Sequence, residues 1–366
     1  MKYVQPRPSS IVAALYTARD LEVEIAILHG PSGCSFKHAR LLEEDGMRCL
    51  TTSLSDNDFI FGGKERLIDV LTYAQNEFSP KRMAVIGTCV SMIIGEDLEA
   101  IVDAAEISCE TIAVDIHAGF SENIEGVIAV LVQAEKKGWI SLEELKRQKQ
   151  LLLGANRVER ERGAAAKSYI APSRGDLKHI AAVALLEKID SGGKGMCIMN
   201  AKKETAYMFI DPLLAVHELR PDAEIGYYAN LGNKGLLRVA RMAHGIDAEC
   251  KERGLSLTHI GSLDEYGVLG DDIGVLIEKE KPDYLLVSGV PHAIPEKYIT
   301  PFCVSITNGP RQYEPLKEQG HDYVVVEIDL HPHVLGVHSI QESEFGAVLR
   351  SLDKTTATKT TVTKTT

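Results

Sequence analysis

The sequence predicts an α/β protein made of two Rossmann-like, doubly wound parallel-sheet units. Three observations carry this prediction. Short apolar runs alternate with amphipathic helical patterns along most of the 366 residues. Runs such as Met83–Thr88 lack the polar alternation of a half-exposed strand, as internal parallel strands do. The alternation also occurs twice, on either side of a charged stretch, and no solenoid period is present.

The first unit is expected over residues 1–140. Ser9 or Ser10 caps a helix over Ile11–Asp20. Glu22–His29 is the first strand and leads into the turn Gly30-Pro31-Ser32-Gly33-Cys34. A helix over Phe36–Asp45 stops at Gly46. Arg48–Leu54 is a strand, Ser55–Gly63 a loop and Lys64–Glu77 an amphipathic helix. Met83–Thr88 and Thr111–Asp115 are further strands, with helices over Asp97–Glu106 and Glu122–Lys137.

Residues 141–175 are rich in Lys, Arg, Glu and Ala and read as an exposed helical connector. The second unit is expected over 176–352, as one region or two subdomains. A helix over Leu177–Ile189 opens it and one over Glu342–Leu352 closes it. Its strands are Gly195–Met199, Glu224–Ala229, Leu257–Gly261, Tyr284–Ser288, Phe302–Thr307 and Tyr323–Asp329. Helices over Gly235–Arg253 and Asp271–Lys281 lie between them. Residues 353–366 are a low-complexity tail, almost wholly Lys and Thr. Such a segment cannot build a core and is expected to be disordered.

Charge and hydropathy exclude several functions. Forty Lys+Arg against 52 Asp+Glu leave a net charge of −12. That excess of acid argues against broad binding to nucleic acid or anionic lipid. No apolar stretch reaches the roughly 18 residues of a membrane helix, and the start has no apolar signal region, so a cytoplasmic protein is expected. Neither Gly30–Cys34 nor Ser191–Gly195 completes a P-loop, so no ATP site of that kind is expected. No G-x-G-x-x-G opens a helix after the first strand, which leaves a nicotinamide dehydrogenase unsupported. Cys34 and His117 could be arranged as a thiol hydrolase, but no local signature supports it.

Seven cysteines are too few for a disulfide scaffold. Cys49, Cys197 and Cys303 lie in apolar strands, Cys109 just before one and Cys250 on a helix. All five read as buried thiols. Cys34 and Cys89 differ, because each directly follows a strand at its carboxyl end, where open parallel sheets bind ligands. Cys34 also opens a helix, which favours thiolate. Two thiolates at one sheet edge suit a soft metal or an iron–sulfur cluster. Two cysteines that merely line turns are the other reading, and no C-x-x-C pair decides between them.

Three motifs then occur in order. They are His29-Gly30-Pro31-Ser32-Gly33-Cys34, Asp58-Phe59-Ile60-Phe61-Gly62-Gly63, and Thr88-Cys89-Val90-Ser91-Met92-Ile93-Ile94-Gly95-Glu96-Asp97. Together they resemble the catalytic component of the nitrogenase-like superfamily. The resemblance covers about a hundred residues by motif; past Gly154 it is one of architecture. It implies a nitrogenase component 1-like fold and an iron–sulfur cluster framed by these turns, with Cys34 and Cys89 as ligands and Gly30 and Gly33 making room for it.

The departures narrow the resemblance. No cysteine precedes Cys34, so two family ligands remain per chain. The cysteine and histidine that anchor the cofactor of true nitrogenases have no match, which argues against nitrogen reduction. The opening Met1–Ser10 and the compact length look like the short archaeal branch, the reductive cyclases of nickel-sirohydrochlorin a,c-diamide. That branch implies reduction of a nickel macrocycle with lactam closure, in the biosynthesis of coenzyme F-430. It also implies a separate, NifH-like ATP-dependent iron–sulfur reductase as partner.

A 4Fe–4S cluster takes four protein ligands, so a homodimer with one cluster bridging Cys34 and Cys89 of both copies is expected. One cluster per chain, completed by Asp or water, is the alternative. For the carboxylates of a tetrapyrrole the candidates are Lys37, Arg40, Lys202, Lys203, Lys234 and Arg311; each is otherwise a solvated charge. His331 and His333 follow a strand and are candidates for proton donation or for approach to nickel; capping a strand end is their other role. Asp56, Asn57 and Asp58 are expected to shape their loop. Three other classes remain: a protochlorophyllide-type reductase, a non-catalytic cluster scaffold, and a cluster-free ligand-binding protein.

Overall fold

A computed structural model describes residues 9–116, 120, 122–164, 170–327 and 336–352. His117, His331, His333 and the tail Lys354–Thr366 lie outside the described residues. The chain forms two compact units, one running to Gln150 with Leu236–Arg238, the other beginning at Leu151.

The first unit holds a four-stranded parallel sheet. Its strands are β1 (Ile25–His29), β2 (Arg48–Thr51), β3 (Arg82–Gly87) and β4 (Glu110–Val114), in the order β2-β1-β3-β4. Ile25, Ile27, Met83 and Val85 point to one face, where Leu67, Leu71 and Ala74 of the helix Lys64–Phe78 cover them. Leu98, Ile101 and Val102 of the helix Leu98–Ala104 complete that cluster. Each Ile, Leu, Val or Met side chain among them contributes roughly 1.5–3 kcal/mol by leaving water. The helix Ser10–Asp20 starts where expected, with the Val12 N–H donating to Ser9 Oγ at 3.2 Å.

The order matters because it reverses direction at β1. The chain steps from β1 outward to β2, then returns to place β3 on the other side of β1. The strand ends on either side of such a reversal enclose a crevice with no crossing helix above it. Here the crevice lies between the carboxyl ends of β1 and β3, which run in register with His29 opposite Gly87.

The second unit holds six parallel strands: β5 (Gly195–Asn200), β6 (Ile225–Ala229), β7 (Thr258–His259), β8 (Tyr284–Gly289), β9 (Phe302–Thr307) and β10 (Tyr323–Val326). Their order is β10-β9-β8-β5-β6-β7, so this sheet also reverses, between β5 and β8. Helices Leu237–Glu252 and Gly270–Glu280 fall where the periodicity placed them.

Four sequence expectations need correction. Residues 55–63, read as loop, contain the helix Asp56–Phe61, closed by a Ser55–Asp58 capping box. The helices Ala206–Phe209 and Asp211–Leu219, not anticipated, bridge β5 and β6. The strand expected over 257–261 pairs only at Thr258–His259. The connector is one long helix, Leu142–Glu161, and it is not wholly exposed: Leu145, Gln148, Asn156 and Val158 are buried.

A buried histidine in the second unit makes stability depend on pH. The His321 ring shares a hydrogen bond of 2.6 Å between Nδ1 and Ser305 Oγ, and Nε2 is buried without a partner. Burial, with the charges of His292 and Lys317 nearby, pushes this imidazole down to about 4. The unfolded chain binds the extra proton from about 6.5 downward. Stability is therefore intact above that value and falls as pH drops towards 4, by about 3 kcal/mol across the window. Urea titrations of His321→Gln between pH 7 and 4 should show a shallower loss than the parent chain. Equal slopes would remove His321 as the cause.

Candidate metal centre

The site begins with two strand ends lying side by side. After β1 the chain turns through Gly30–Cys34, with the Cys34 N–H donating to Pro31 O at 3.1 Å. Ser35 then takes a left-handed conformation at φ 55° before the helix Phe36–Glu44 begins. Such a conformation costs a non-glycine residue about 1–2 kcal/mol, so the bend that presents Cys34 is held by its surroundings. After β3, Thr88 caps the helix Cys89–Ile93; its N–H donates to Ser91 Oγ at 2.9 Å, and that hydroxyl bonds back to Thr88 O.

One bond joins the two turns. Thr88 Oγ1 donates to His29 O at 2.9 Å across the β1–β3 seam, fully buried. Gly30 sits against this hydroxyl so closely that a Cβ would lie 2.3 Å from it. Glycine is required there by contact with the Cys89 turn. At Gly33 a Cβ would meet nothing within 4 Å, so no packing inside this chain demands glycine.

Cys34 and Cys89 are both half-buried thiols. Burial pushes the Cys34 thiol up, and so does the negative charge that Cys89 would carry. Charge on Cys89 thus works against charge on Cys34, and a cation bound beside Cys34 would offset that repulsion and favour its thiolate. The remaining cysteines offer no such pairing. Cys197, Cys250 and Cys303 are buried, and burial pushes the last two up to about 12. Cys49, in β2, and Cys109, just before β4, are half-buried and not buried as expected, and desolvation still pushes Cys49 up to about 12.

The donor chemistry thus fits an iron–sulfur cluster at Cys34 and Cys89, with open space over Gly33 to receive a bulky group. Among the described residues, no three His, Cys, Asp or Glu side chains of one chain converge as a metal site. A four-ligand cluster therefore needs donors beyond this pair.

Beneath the thiols lies a polar network that the sequence alone did not reveal. His29 Nδ1 pairs with Thr52 Oγ1 at 3.1 Å, and Thr52 Oγ1 accepts the Gly30 N–H at 3.0 Å. His29 Nε2 pairs with Glu96 Oε2, and Glu96 Oε1 accepts the Gly63 N–H. His29 and Glu96 belong to quoted motifs, yet nothing in the spacing marked them as partners. Thr52 carried no signal at all.

The rim of this site is apolar. Phe36 follows the Cys34 turn, Met92 and Ile93 follow Cys89, and Phe59, Ile60 and Phe61 precede Gly62; all are exposed, Phe61 at 85%. Asp58, expected to shape a loop, instead closes the capping box of the helix Asp56–Phe61, its carboxylate accepting from Ser55 N and Oγ, which holds its pKa low.

The proposed substrate cations are more scattered. Lys37 and Arg40 are exposed on the helix after Cys34, Arg40 bonding Glu43 at 3.1 Å. Lys234 and Arg311 belong to the second unit, exposed in the segments after β6 and β9. Lys202, after β5, pairs with Glu159 at 3.6 Å and stands over the Tyr266 ring, and Lys203 begins a short 3-10 turn.

Residues 9–137 match the family model described as nitrogenase component 1 type oxidoreductase, a span that includes both cysteine turns. The chain is also 50% identical to a Methanosarcina acetivorans protein named Ni-sirohydrochlorin a,c-diamide reductive cyclase complex, component CfbD. That match covers 96% of this chain and 97% of the relative. Proteins of the same name from Methanothermobacter thermautotrophicus and Methanocaldococcus jannaschii are 46% and 42% identical. They cover 95% and 94% of this chain, and 98% and 97% of their own lengths. The chain belongs to this CfbD family. No helix among the described residues is long and apolar enough to cross a membrane.

Accessibility separates the cysteines experimentally. Brief iodoacetamide treatment of the metal-free chain should alkylate Cys34 and Cys89 and spare Cys197 and Cys303, read by peptide mass spectrometry. Protection of Cys34 and Cys89 together with labelling of Cys303 would contradict this arrangement.

Proposed function

We propose that this chain is the catalytic subunit of an ATP-dependent reductive cyclase. Its substrate is nickel-sirohydrochlorin a,c-diamide, which it reduces while closing a lactam ring from an acetamide side chain, in coenzyme F-430 biosynthesis. Electrons come from a separate ATP-hydrolysing, NifH-like iron–sulfur reductase. A 4Fe–4S cluster, held by Cys34 and Cys89 of two copies of the chain, receives them.

The observation that carries this reading is the pair of thiols at the β1–β3 crevice, in a chain so similar along its length to the CfbD relatives. When bound, the cluster supplies low-potential, one-electron transfer. The chain's own part is positional. Thr88 and Gly30 lock the two turns together, and the helix Cys89–Ile93 presents its first turn to the crevice. The exposed apolar rim supports an assembly in which this face meets other protein, since such patches mark interaction sites. Neither glycine-rich turn is a P-loop, which suits a division of labour with ATP used in the partner.

Incubating the chain with the reductase, ATP and nickel-sirohydrochlorin a,c-diamide should yield a reduced, lactam-bearing product, and omitting ATP should abolish it. Cys34→Ala or Cys89→Ala should lower turnover more than about a hundredfold, whereas Cys49→Ala should retain it. Turnover of protochlorophyllide in place of the nickel compound would move the chain to a different tetrapyrrole reductase.

A further inference from the structure

The three motifs that frame the cysteines meet at one side chain. Glu96 lies 67 residues from His29 and 33 from Gly63, and its two carboxylate oxygens bind one each. Both partners are structurally committed. The His29 side chain is fully buried at the end of β1, directly before the Cys34 turn, and the Glu96 side chain is only 8% exposed. Gly63 packs so tightly that a Cβ would stand 2.6 Å from Leu54 Cδ2, 3.1 Å from His29 Cε1 and 3.3 Å from Glu96 Oε1.

The network is complete in one proton arrangement, assigned from its partners. Gly30 N–H donates to Thr52 Oγ1, and the Thr52 hydroxyl donates to His29 Nδ1. His29 Nε2–H then donates to Glu96, which also accepts the Gly63 N–H. The turns on either side of these contacts are pinned by left-handed glycines, Gly62 at φ 95° and Gly95 at φ 74°. The chain of bonds runs from the backbone of the Cys34 turn through Glu96 to the Gly62–Gly63 end of the aromatic–glycine loop, while the Leu54 N–H, which donates to Gly30 O at 3.0 Å, ties the other end of that loop.

We infer that Glu96 is a positioning residue that holds the Cys34 turn and the Gly62–Gly63 turn in a single geometry and so fixes the shape the thiols present to the cluster. The inference rests on the cluster reading above and deepens it. Its signature is coupling: losing the carboxylate frees two segments far apart in sequence, and frees them together. A glutamine at this position can restore the link with the histidine proton moved to Nδ1, Thr52 Oγ1 then accepting it.

Hydrogen exchange on the metal-free chain reads this without any cluster. Glu96→Ala should raise exchange at least about tenfold in both 30–35 and 62–63, leaving the helix Ile124–Lys136 unchanged, and Glu96→Gln should restore protection. In anaerobically loaded protein, Glu96→Ala should lose more than half of the parent's iron and alter the electron paramagnetic resonance of what remains. Glu96→Gln should recover both. If Glu96→Ala does not fold, Gly63→Ala strains the same contact and should loosen the same two segments. Iron-loaded parent chain with unchanged exchange and resonance in Glu96→Ala would overturn this inference alone. Loosening confined to 62–63 would overturn it too. A parent chain that takes up no iron would overturn the cluster reading, and this inference with it.

Discussion

The site depends on the register of β1 against β3. With His29 opposite Gly87, the residues that follow each strand emerge as neighbours, and Thr88 Oγ1 closes onto His29 O. A shift of the pairing along either strand would separate the turns and break that bond. Gly30 is the steric condition for the same closure, since any side chain there collides with Thr88. The parallel sheet is thus the device that brings Cys34 and Cys89, 55 positions apart in the chain, to one edge.

That placement divides the cysteines by chemistry. A thiol inside a strand is desolvated and stays protonated, as at Cys197 and Cys303. Desolvation also acts on Cys34, but there the second cause is another thiol, a repulsion that a bound cation would offset. The left-handed Ser35 and the Ser91–Thr88 bonds shape the two turns that carry these thiols. Placing the thiols on short turns rooted in strands leaves them half-buried at the carboxyl edge of the sheet.

Much of the fold was legible because its strands are buried on both faces and therefore apolar without alternation. The unread helices show where that rule ends. Ala206–Phe209 and the first six residues of Asp211–Leu219 are buried, so no polar face marked their period over that stretch. Asp56–Phe61 fails in the opposite way, with Phe59, Ile60 and Phe61 all exposed, so its apolar residues point to no core. The placement of Cys34 and Cys89 after the carboxyl ends of β1 and β3 was legible from the apolar runs that precede them. The Glu96 contacts were not, because hydrogen bonds across 33 and 67 residues leave no periodic trace. Lys37 and Arg40 share the helix that follows Cys34, whereas Lys234 and Arg311 belong to the other unit.

Two thiols per chain set a stoichiometry. A four-iron cluster completed by a twofold-related copy requires half as many clusters as chains. Under the proposed twofold arrangement, oligomeric state, iron and acid-labile sulfide should be measured together after oxygen-free purification, beside the Cys34→Ala/Cys89→Ala double variant. About four iron per dimer, lost in the double variant, is the predicted result. About eight per dimer would mean one separate cluster in each chain, and full iron in the double variant would contradict the site itself.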